Sequence, residues 1–102
     1  MRIEYKSAAL RDITQRRDYI AHELNNGTAA QKLVTSILRA VSLLADNPRM
    51  GAPLSGKYDI ETDIRYLIVA KQFVFYRIVD DDLITVVRVL DGRQDYMTIL
   101  FP

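Results

Sequence analysis

The sequence predicts an α+β protein in which two helices form a hairpin on one face of a largely antiparallel β-sheet. Two observations support this fold class. Apolar residues recur at helical spacing through the first half of the chain, and in the second half they alternate among β-branched and aromatic residues. Because the helical half precedes most of the strands, helices gathered on one side of a sheet are favoured over alternating βα units.

The chain opens with a short strand that leads directly into a helix. The segment 2–5 is β-prone, and Ser7 is a residue type that often caps helix N-termini, so the first helix is predicted to begin there. Gly27 suits the left-handed position that ends helices, and the helix is predicted to stop at Asn25, Asn26 and Gly27. Its apolar residues at helical spacing are Leu10, Ile13, Ile20 and Leu24.

A second helix is predicted from Thr28 to Ala45. Gln31 stands three residues after Thr28, the spacing of a capping box in which two side chains bond otherwise unpaired backbone N–H groups. Pro48 disfavours helical geometry in the residue before it and so closes the hairpin. The polar faces of segment 7–45 suggest no convergent acid, base and cation, so the hairpin is interpreted as scaffold and partner surface. Its apolar stripe comprises Leu33, Val34, Ile37, Leu38, Val41, Leu44 and Ala45.

The second half of the chain predicts a long connection, three strands and a packed tail. Segment 47–63 contains prolines and glycines and shows no sustained period, which favours a surface crossing, although its length leaves a functional loop open. Segments 64–69, 73–79 and 83–90 are predicted to form an antiparallel meander. The tail 91–102 is too apolar for a solvated end and is expected to pack beside the last strand.

The turn between the last two strands determines which way two arginines point. With a two-residue turn at positions 81–82, Phe75 faces Arg88 and Val86 faces Arg77, which places both arginines on one face of the sheet. A three-residue turn places them on opposite faces. The acidic run 80–82 itself is interpreted as a solvated hairpin tip, with metal binding as the minor alternative.

Composition restricts the chemistry and the setting of the protein. The 102 residues allow a single domain, 1–102, and the absence of cysteine excludes disulfides, thiolate catalysis and cysteine-ligated zinc. With one histidine, we expect neither a metal nor a cofactor. No apolar stretch approaches the roughly 20 residues that span a bilayer, and the first residues do not resemble a signal peptide. A cytoplasmic protein without a membrane partner is therefore expected, and a net charge of +1 neither predicts nor forbids a nucleic-acid partner.

Five blocks stand out along the sequence: the helical hairpin, 47–51 (NPRMG), 64–67 (IRYL), 73–77 (FVFYR) and 88–96 (RVLDGRQDY). In this order and spacing they resemble the RelE/ParE superfamily of toxins from type II toxin–antitoxin systems, which includes plasmid-stabilisation proteins. The resemblance extends over nearly the whole chain. It implies the superfamily's α+β fold, a role in growth arrest and neutralisation by a cognate antitoxin protein.

Members of this superfamily act in two main ways, and the shared fold does not choose between them. RelE-like toxins cut messenger RNA on the ribosome, whereas ParE-like toxins inhibit DNA gyrase. The segments 75–77 and 88–93 are more similar to ParE-like sequences, so gyrase inhibition is the preferred hypothesis. A RelE-like, ribosome-dependent endoribonuclease is the alternative, and a non-toxic protein-binding module is a second one.

The resemblance also implies which residues matter. If the chain were RelE-like and therefore an enzyme, Arg65, Arg88 and Arg93 would be catalytic cations and Tyr96 a weak acid; otherwise the same four residues would bind the target. Arg77 joins this set as a further candidate, and Arg93 is the first choice for a residue needed for toxicity. The base candidates are more distant in sequence: Lys57, Glu61 and Asp63.

One position departs from the superfamily pattern. Asp91 stands where many relatives carry a histidine, and an aspartate cannot easily donate a proton at neutral pH. His22 lies among polar neighbours in the first helix and is interpreted as an ordinary solvent-facing histidine rather than a replacement. This departure weakens the nuclease hypothesis.

Overall fold

The computed structural model describes the whole chain, Met1–Pro102, and confirms an α+β fold with the predicted order of its main elements. These are β1 (Arg2–Tyr5), α1 (Ser7–Asp18), a π-helical segment (Tyr19–Glu23), α2 (Gly27–Leu43), β2 (Ala52–Pro53), a 3₁₀ turn (Leu54–Gly56), β3 (Arg65–Val69), β4 (Gln72–Ile78), β5 (Leu83–Asp91) and α3 (Tyr96–Leu100). The short β2 and the 3₁₀ turn lie inside the predicted long connection. None of the helices combines the length and the apolar character needed to cross a membrane.

The strands form one five-stranded sheet in the order β1-β5-β4-β3-β2. β1 runs parallel to β5, and every other neighbouring pair is antiparallel. Residues 72–76 of β4 are buried on both sides of the sheet, which explains why their sequence lacks the clean polar alternation of a strand with one wet face.

Two apolar clusters cover the two faces of the sheet. On the helix face, residues of α1 and α2 pack against alternate residues of the central strands, among them Val74, Tyr76 and Val86. On the other face, here called the outer face, Phe73 and Phe75 pack with Leu54 from the connection and Tyr96 from α3. The tail therefore packs onto the outer face rather than only along the last strand.

Both the start of α1 and the junction between α1 and α2 differ from the prediction. Lys6 occupies the N-cap position of α1 without a side-chain hydrogen bond, and Ser7 is already the first helical residue. Asn25, with φ of 48°, takes the left-handed conformation assigned to Gly27, because asparagine tolerates this region better than most residues. Gly27 instead begins α2.

The N-terminus of α2 is capped by a residue that the prediction did not choose. The side chain of Asn26 accepts a hydrogen bond from Ala29 N at 3.0 Å, which places the cap two residues before Thr28. Thr28 and Gln31 consequently lie inside the helix, and the predicted capping box does not form.

The buried stripes of the helices are narrower than predicted. In α1 the buried residues are Ala9 and Ile13, whereas Leu10 is 50% exposed. In α2, Ile37 is fully buried while its neighbour Leu38 is 45% exposed. Apolar residues outside the stripes, such as Leu10 and Leu38, are therefore exposed on both helices.

The β4–β5 connection combines features of both predicted turns. Val79 N donates to Leu83 O at 2.8 Å, which leaves a three-residue tip of 80–82. A β-bulge between Phe75 and Tyr76 then shifts the register by one residue. Phe75 therefore faces Arg88, as a two-residue turn predicts, whereas Arg77 faces Thr85 rather than Val86. The acidic tip is exposed, as expected.

The long connection is tied to the sheet by Tyr76. Its hydroxyl donates to Pro48 O at 2.7 Å and accepts from Gly51 N at 3.0 Å. A Cβ atom at Gly51 would lie 2.6 Å from both Tyr66 O and the Tyr76 hydroxyl, so only glycine fits this close approach. This end of the connection is thus a structural crossing.

We expect Ile37→Ala to lower the free energy of unfolding by about 2–5 kcal/mol, because it leaves a cavity in the core under α2. Leu38→Ala is the matched control, since this side chain is partly solvated, and its cost should stay below about 1 kcal/mol. Chemical denaturation of the two variants measures the difference. Equal losses would contradict the packing described above.

Candidate functional site

A polar cleft of about 480 Å³ lies between α1 and the end of β5. It combines cationic and anionic side chains from elements far apart in sequence. Its principal lining residues are Asp12, Arg16 and Tyr19 from the helical side, and Arg88, Asp91 and Arg93 from the strand side.

The cleft begins where β5 loses its neighbour. β1 pairs with β5 only over residues 83–86, and α1 then passes along the remaining edge. The Asp12 carboxylate accepts Val89 N–H at 3.0 Å, in place of a neighbouring strand. The same carboxylate accepts two hydrogen bonds from Arg88, each of 2.7 Å. The bonded Asp12 carboxylate raises the pKa of Arg88, so this guanidinium stays charged and held against α1.

A second carboxylate, Asp91, anchors the other end of the cleft. It is buried and accepts hydrogen bonds from Arg93 N at 2.8 Å, Arg93 Nε at 3.0 Å and Gln72 Nε2 at 3.3 Å. The Arg93 hydrogen bonds hold the pKa of Asp91 well below its usual range, although burial acts in the opposite direction. Asp91 is therefore ionised at neutral pH and has no proton to donate.

Arg16 is the least satisfied charged group of the cleft. Its Nη2 lies 3.2 Å from Asp91 Oδ2, but the guanidinium donates no well-directed hydrogen bond, and its Nε is buried without a partner. The guanidinium carbon lies 5.3 Å from the ring centre of Tyr19. A guanidinium presents several N–H groups in a planar fork, so Arg16 retains most of its capacity to bind an acceptor.

The rim of the cleft on the helical side is a π-helical segment that starts at Tyr19. Such segments are uncommon and occur often at functional sites. Tyr19 is 46% exposed and lines the cleft, so the departure from α-helical winding accompanies an accessible aromatic side chain next to Arg16. His22 lies in the same segment and is exposed, as predicted.

The sequence suggested no convergence of charged groups on the polar faces of the hairpin, which was interpreted as scaffold and partner surface, but the structure shows one on α1. Asp12, Arg16 and Tyr19 all face the cleft. Their sequence spacings of four and three residues do place them on one helix face, which was the available signal. The charged neighbours of this helix concealed it, because the partners of Asp12 and Arg16 on β5 are more than 70 residues away.

The structure brings together two of the four predicted site residues, Arg88 and Arg93, which both line the cleft. Arg65 lies elsewhere: its strand partner Tyr76 packs on the helix face, and its guanidinium donates to Gly51 O at 2.6 Å. Arg77 pairs with Asp63 through an exposed contact of 2.7 Å, and this arginine lowers the pKa of Asp63.

Tyr96, the fourth predicted residue, lies on the outer face. Its hydroxyl is 2.8 Å from that of Tyr58, and its ring stacks on Phe73 with 4.8 Å between ring centres. Lys57 Nζ lies 4.8 Å from the centre of the Phe73 ring and 5.9 Å from that of Tyr96. The outer face thus gathers aromatic rings under one ammonium group, without an arginine from the predicted set.

The cleft is suited to binding rather than to proton transfer. Its cations remain charged over any physiological pH, and Asp91 remains ionised. General acid–base catalysis works best with groups whose pKa lies near the working pH. The side chains that the cleft brings together can form ion pairs and hydrogen bonds with polar groups.

Comparison with known families matches residues 3–96 of the chain to the model of the ParE toxin of the type II toxin–antitoxin system parDE. Among solved structures, the chain is similar to one from the chromosomal ParDE toxin–antitoxin system of P. aeruginosa. The TM-score is 0.70 at 20% sequence identity, over 89% of this chain and 95% of that one.

A second solved structure, that of a mutant of YafQ from E. coli, aligns over 99% of this chain and 98% of its own length. Its TM-score is 0.47 at 16% identity. Among curated protein sequences, none matches the chain significantly.

We expect Asp91→Asn to reduce stability at neutral pH by about 1–3 kcal/mol, because the arginines lose their charged acceptor. The folded state holds the pKa of Asp91 below its unfolded value near 4, so its contribution is complete above pH 5 and is lost as the pH falls below 4. Denaturation of wild type and variant across acidic pH measures this loss.

The Asp91→Asn variant should therefore lose less further stability on acidification than wild type. Asp81→Asn, at the exposed hairpin tip, is the control and should follow the wild-type curve. Parallel curves for wild type and Asp91→Asn would contradict the assigned role of Asp91.

Proposed function

Since the chain belongs to the ParE family of toxins from type II toxin–antitoxin systems, we propose that it arrests growth by inhibiting DNA gyrase and that a cognate antitoxin neutralises it. The family membership supports the toxin role. The choice of gyrase follows from the ParE-like segments 75–77 and 88–93 and from the chemistry of the cleft.

The observation that carries the mechanism is the state of Asp91. Cleavage of RNA by its own 2′-hydroxyl requires a group that accepts a proton and a group that delivers one to the leaving oxygen. The resemblance places Asp91 where many relatives carry a histidine; an aspartate is ionised at neutral pH, and the hydrogen bonds from Arg93 lower its pKa further, so it has no proton to deliver and is a weak base. This arrangement supports a toxin that acts by binding its target.

Arg93 is the proposed first contact with the target, and Arg88 and Arg16 complete the binding surface. The Arg93 side chain is 82% exposed while two of its nitrogens remain bonded to Asp91. It is thus both oriented and accessible. Arg65 and Tyr96 are proposed to act indirectly, by holding the long connection and the outer face in place.

The proposed antitoxin contact involves the outward surface of the helical hairpin. Leu10 and Leu24 on the first helical stretch and Leu38 and Leu43 on α2 are each roughly half exposed. Exposed apolar side chains mark surfaces that a partner covers where they form a contiguous patch, and we propose that these four leucines contribute to one. An amphipathic segment of the antitoxin is the proposed partner.

A RelE-like endoribonuclease remains the second candidate because of one observation on the outer face. Lys57 and the hydroxyls of Tyr58 and Tyr96 lie together there. The hydrogen bond between the hydroxyls raises the pKa of Tyr58, which makes it a weaker acid. Of the other base candidates, Asp63 is bound to Arg77 and Glu61 is exposed. The non-toxic binding module, a third candidate, predicts no growth arrest at all.

The purified chain should inhibit negative supercoiling by gyrase and leave ribosome-bound messenger RNA intact. Arg93→Gln should weaken the inhibition by about tenfold or more, the loss expected when one charge-assisted contact is removed. Its effect on folding stability should be smaller, because the side chain is mostly solvated. Supercoiling assays over a range of toxin concentrations measure the change.

Arg39→Gln is the matched control, since Arg39 is an exposed arginine of α2 outside the cleft. The product of the adjacent gene, added in equal amount, should restore supercoiling if it is the antitoxin. If the chain cleaves messenger RNA on ribosomes and leaves gyrase unaffected, the gyrase proposal is wrong and the endoribonuclease takes its place. In that case Lys57→Met should abolish the cleavage.

A further inference from the structure

We propose that the cleft between α1 and β5 is a specific site for a carboxylate side chain, an aspartate or glutamate of a partner protein, and that Arg16 is its principal ligand. Nothing in the family membership assigns a role to this residue. The inference concerns the chemical class of the ligand and holds whether or not the partner is gyrase.

The first step of the argument is the charge of the cleft. Three guanidiniums, those of Arg16, Arg88 and Arg93, face the two carboxylates of Asp12 and Asp91. One positive charge is therefore in excess. One carboxylate from a partner neutralises this excess charge. A ligand with more negative charge would leave an uncompensated anion beside the carboxylates of Asp12 and Asp91.

The second step concerns which guanidinium is available. Arg88 is bound by two nitrogens to Asp12, and Arg93 by two nitrogens to Asp91. Arg16 is held only by a poorly directed ion pair with Asp91 and leaves a buried Nε–H without an acceptor. The Arg16 side chain lines the cleft and is only 27% exposed, so an acceptor that bonds its remaining N–H groups there gains more than a fully exposed contact would.

The third step distinguishes a carboxylate from the phosphates of a nucleic acid. Guanidinium forks bind carboxylates and phosphates alike, so the distinction comes from the charge around the cleft. A nucleic acid carries repeated phosphates and generally requires an extended basic stripe. Here the lining of the cleft is mixed in sign, with Asp12 and Asp91 among the arginines, and the whole chain carries only +1.

The test uses the full chain labelled with ¹⁵N, because arginine Nε–Hε groups give their own NMR signals. Titration with a hexaglutamate peptide should shift the Arg16 Nε–Hε signal and the amide signals of 12–19 and 88–94 in a saturable way. Arg16→Gln should weaken this affinity about tenfold or more. Arg16→Lys, which keeps the charge but lacks the planar fork, should lose a smaller but measurable part.

Arg17→Gln is the matched control: it removes the adjacent arginine, which is exposed, pairs with Asp18 and does not line the cleft, so affinity should stay within about twofold. Three results would overturn the proposal. They are the absence of a saturable shift, an equal loss in both glutamine variants, and tighter binding of inorganic phosphate or of a DNA duplex at the same signals. None of them depends on the supercoiling assay, so the gyrase proposal stands or falls separately.

Discussion

The architecture depends on how the chain completes the edge of β5 after β1 ends. β1 pairs with only four residues of a nine-residue strand, and a buried backbone N–H without a partner is costly. The Asp12 carboxylate takes the place of a neighbouring strand: it accepts a hydrogen bond from the Val89 N–H and another from Arg88. Because Asp12 lies in the middle of α1, the same contact fixes the position of the helix against the strand and opens the cleft beyond it.

The two buried carboxylates also give the cleft its character. Each carboxylate orients an arginine that would otherwise sample many rotamers, so Arg88 and Arg93 are held in place before any partner arrives. The same hydrogen bonds lower the pKa of Asp91 further below neutrality, so this carboxylate neither donates a proton nor accepts one readily. A surface organised in this way favours recognition over catalysis. The outer face, with its aromatic rings under Lys57, contributes a second core to the fold.

Much of the fold follows from local sequence, and most of the site does not. Helical and strand periodicity predicts the element order, whereas the pairing of Phe75 with Arg88 arises from a three-residue tip combined with a β-bulge. The cap at Asn26 and the left-handed conformation of Asn25 were missed because Asn25, Asn26 and Gly27 are adjacent and each suits a helix cap or a left-handed position. The bulge at Phe75 was also missed, since a one-residue register shift has no signature in composition.

Long-range pairing explains what the sequence could not reveal about the cleft. Arg88 and Arg93 were candidates because they lie in a recognisable segment, but Asp12 and Arg16 become meaningful only once β5 is placed beside α1. Similarly, Arg65 resembles a site residue in sequence, whereas its guanidinium bonds a carbonyl of the long connection. Side-chain partners across the fold, rather than residue type, separate the structural arginines from the available ones.

The account rests on the claim that the target contacts the cleft and not the outer face of the sheet. Hydrogen–deuterium exchange of the chain, alone and with an excess of gyrase, tests this claim directly. We expect slower amide exchange in segments 12–19 and 88–94 when gyrase is present, with segment 54–66 unchanged. Protection confined to 54–66, or no protection anywhere, would contradict it.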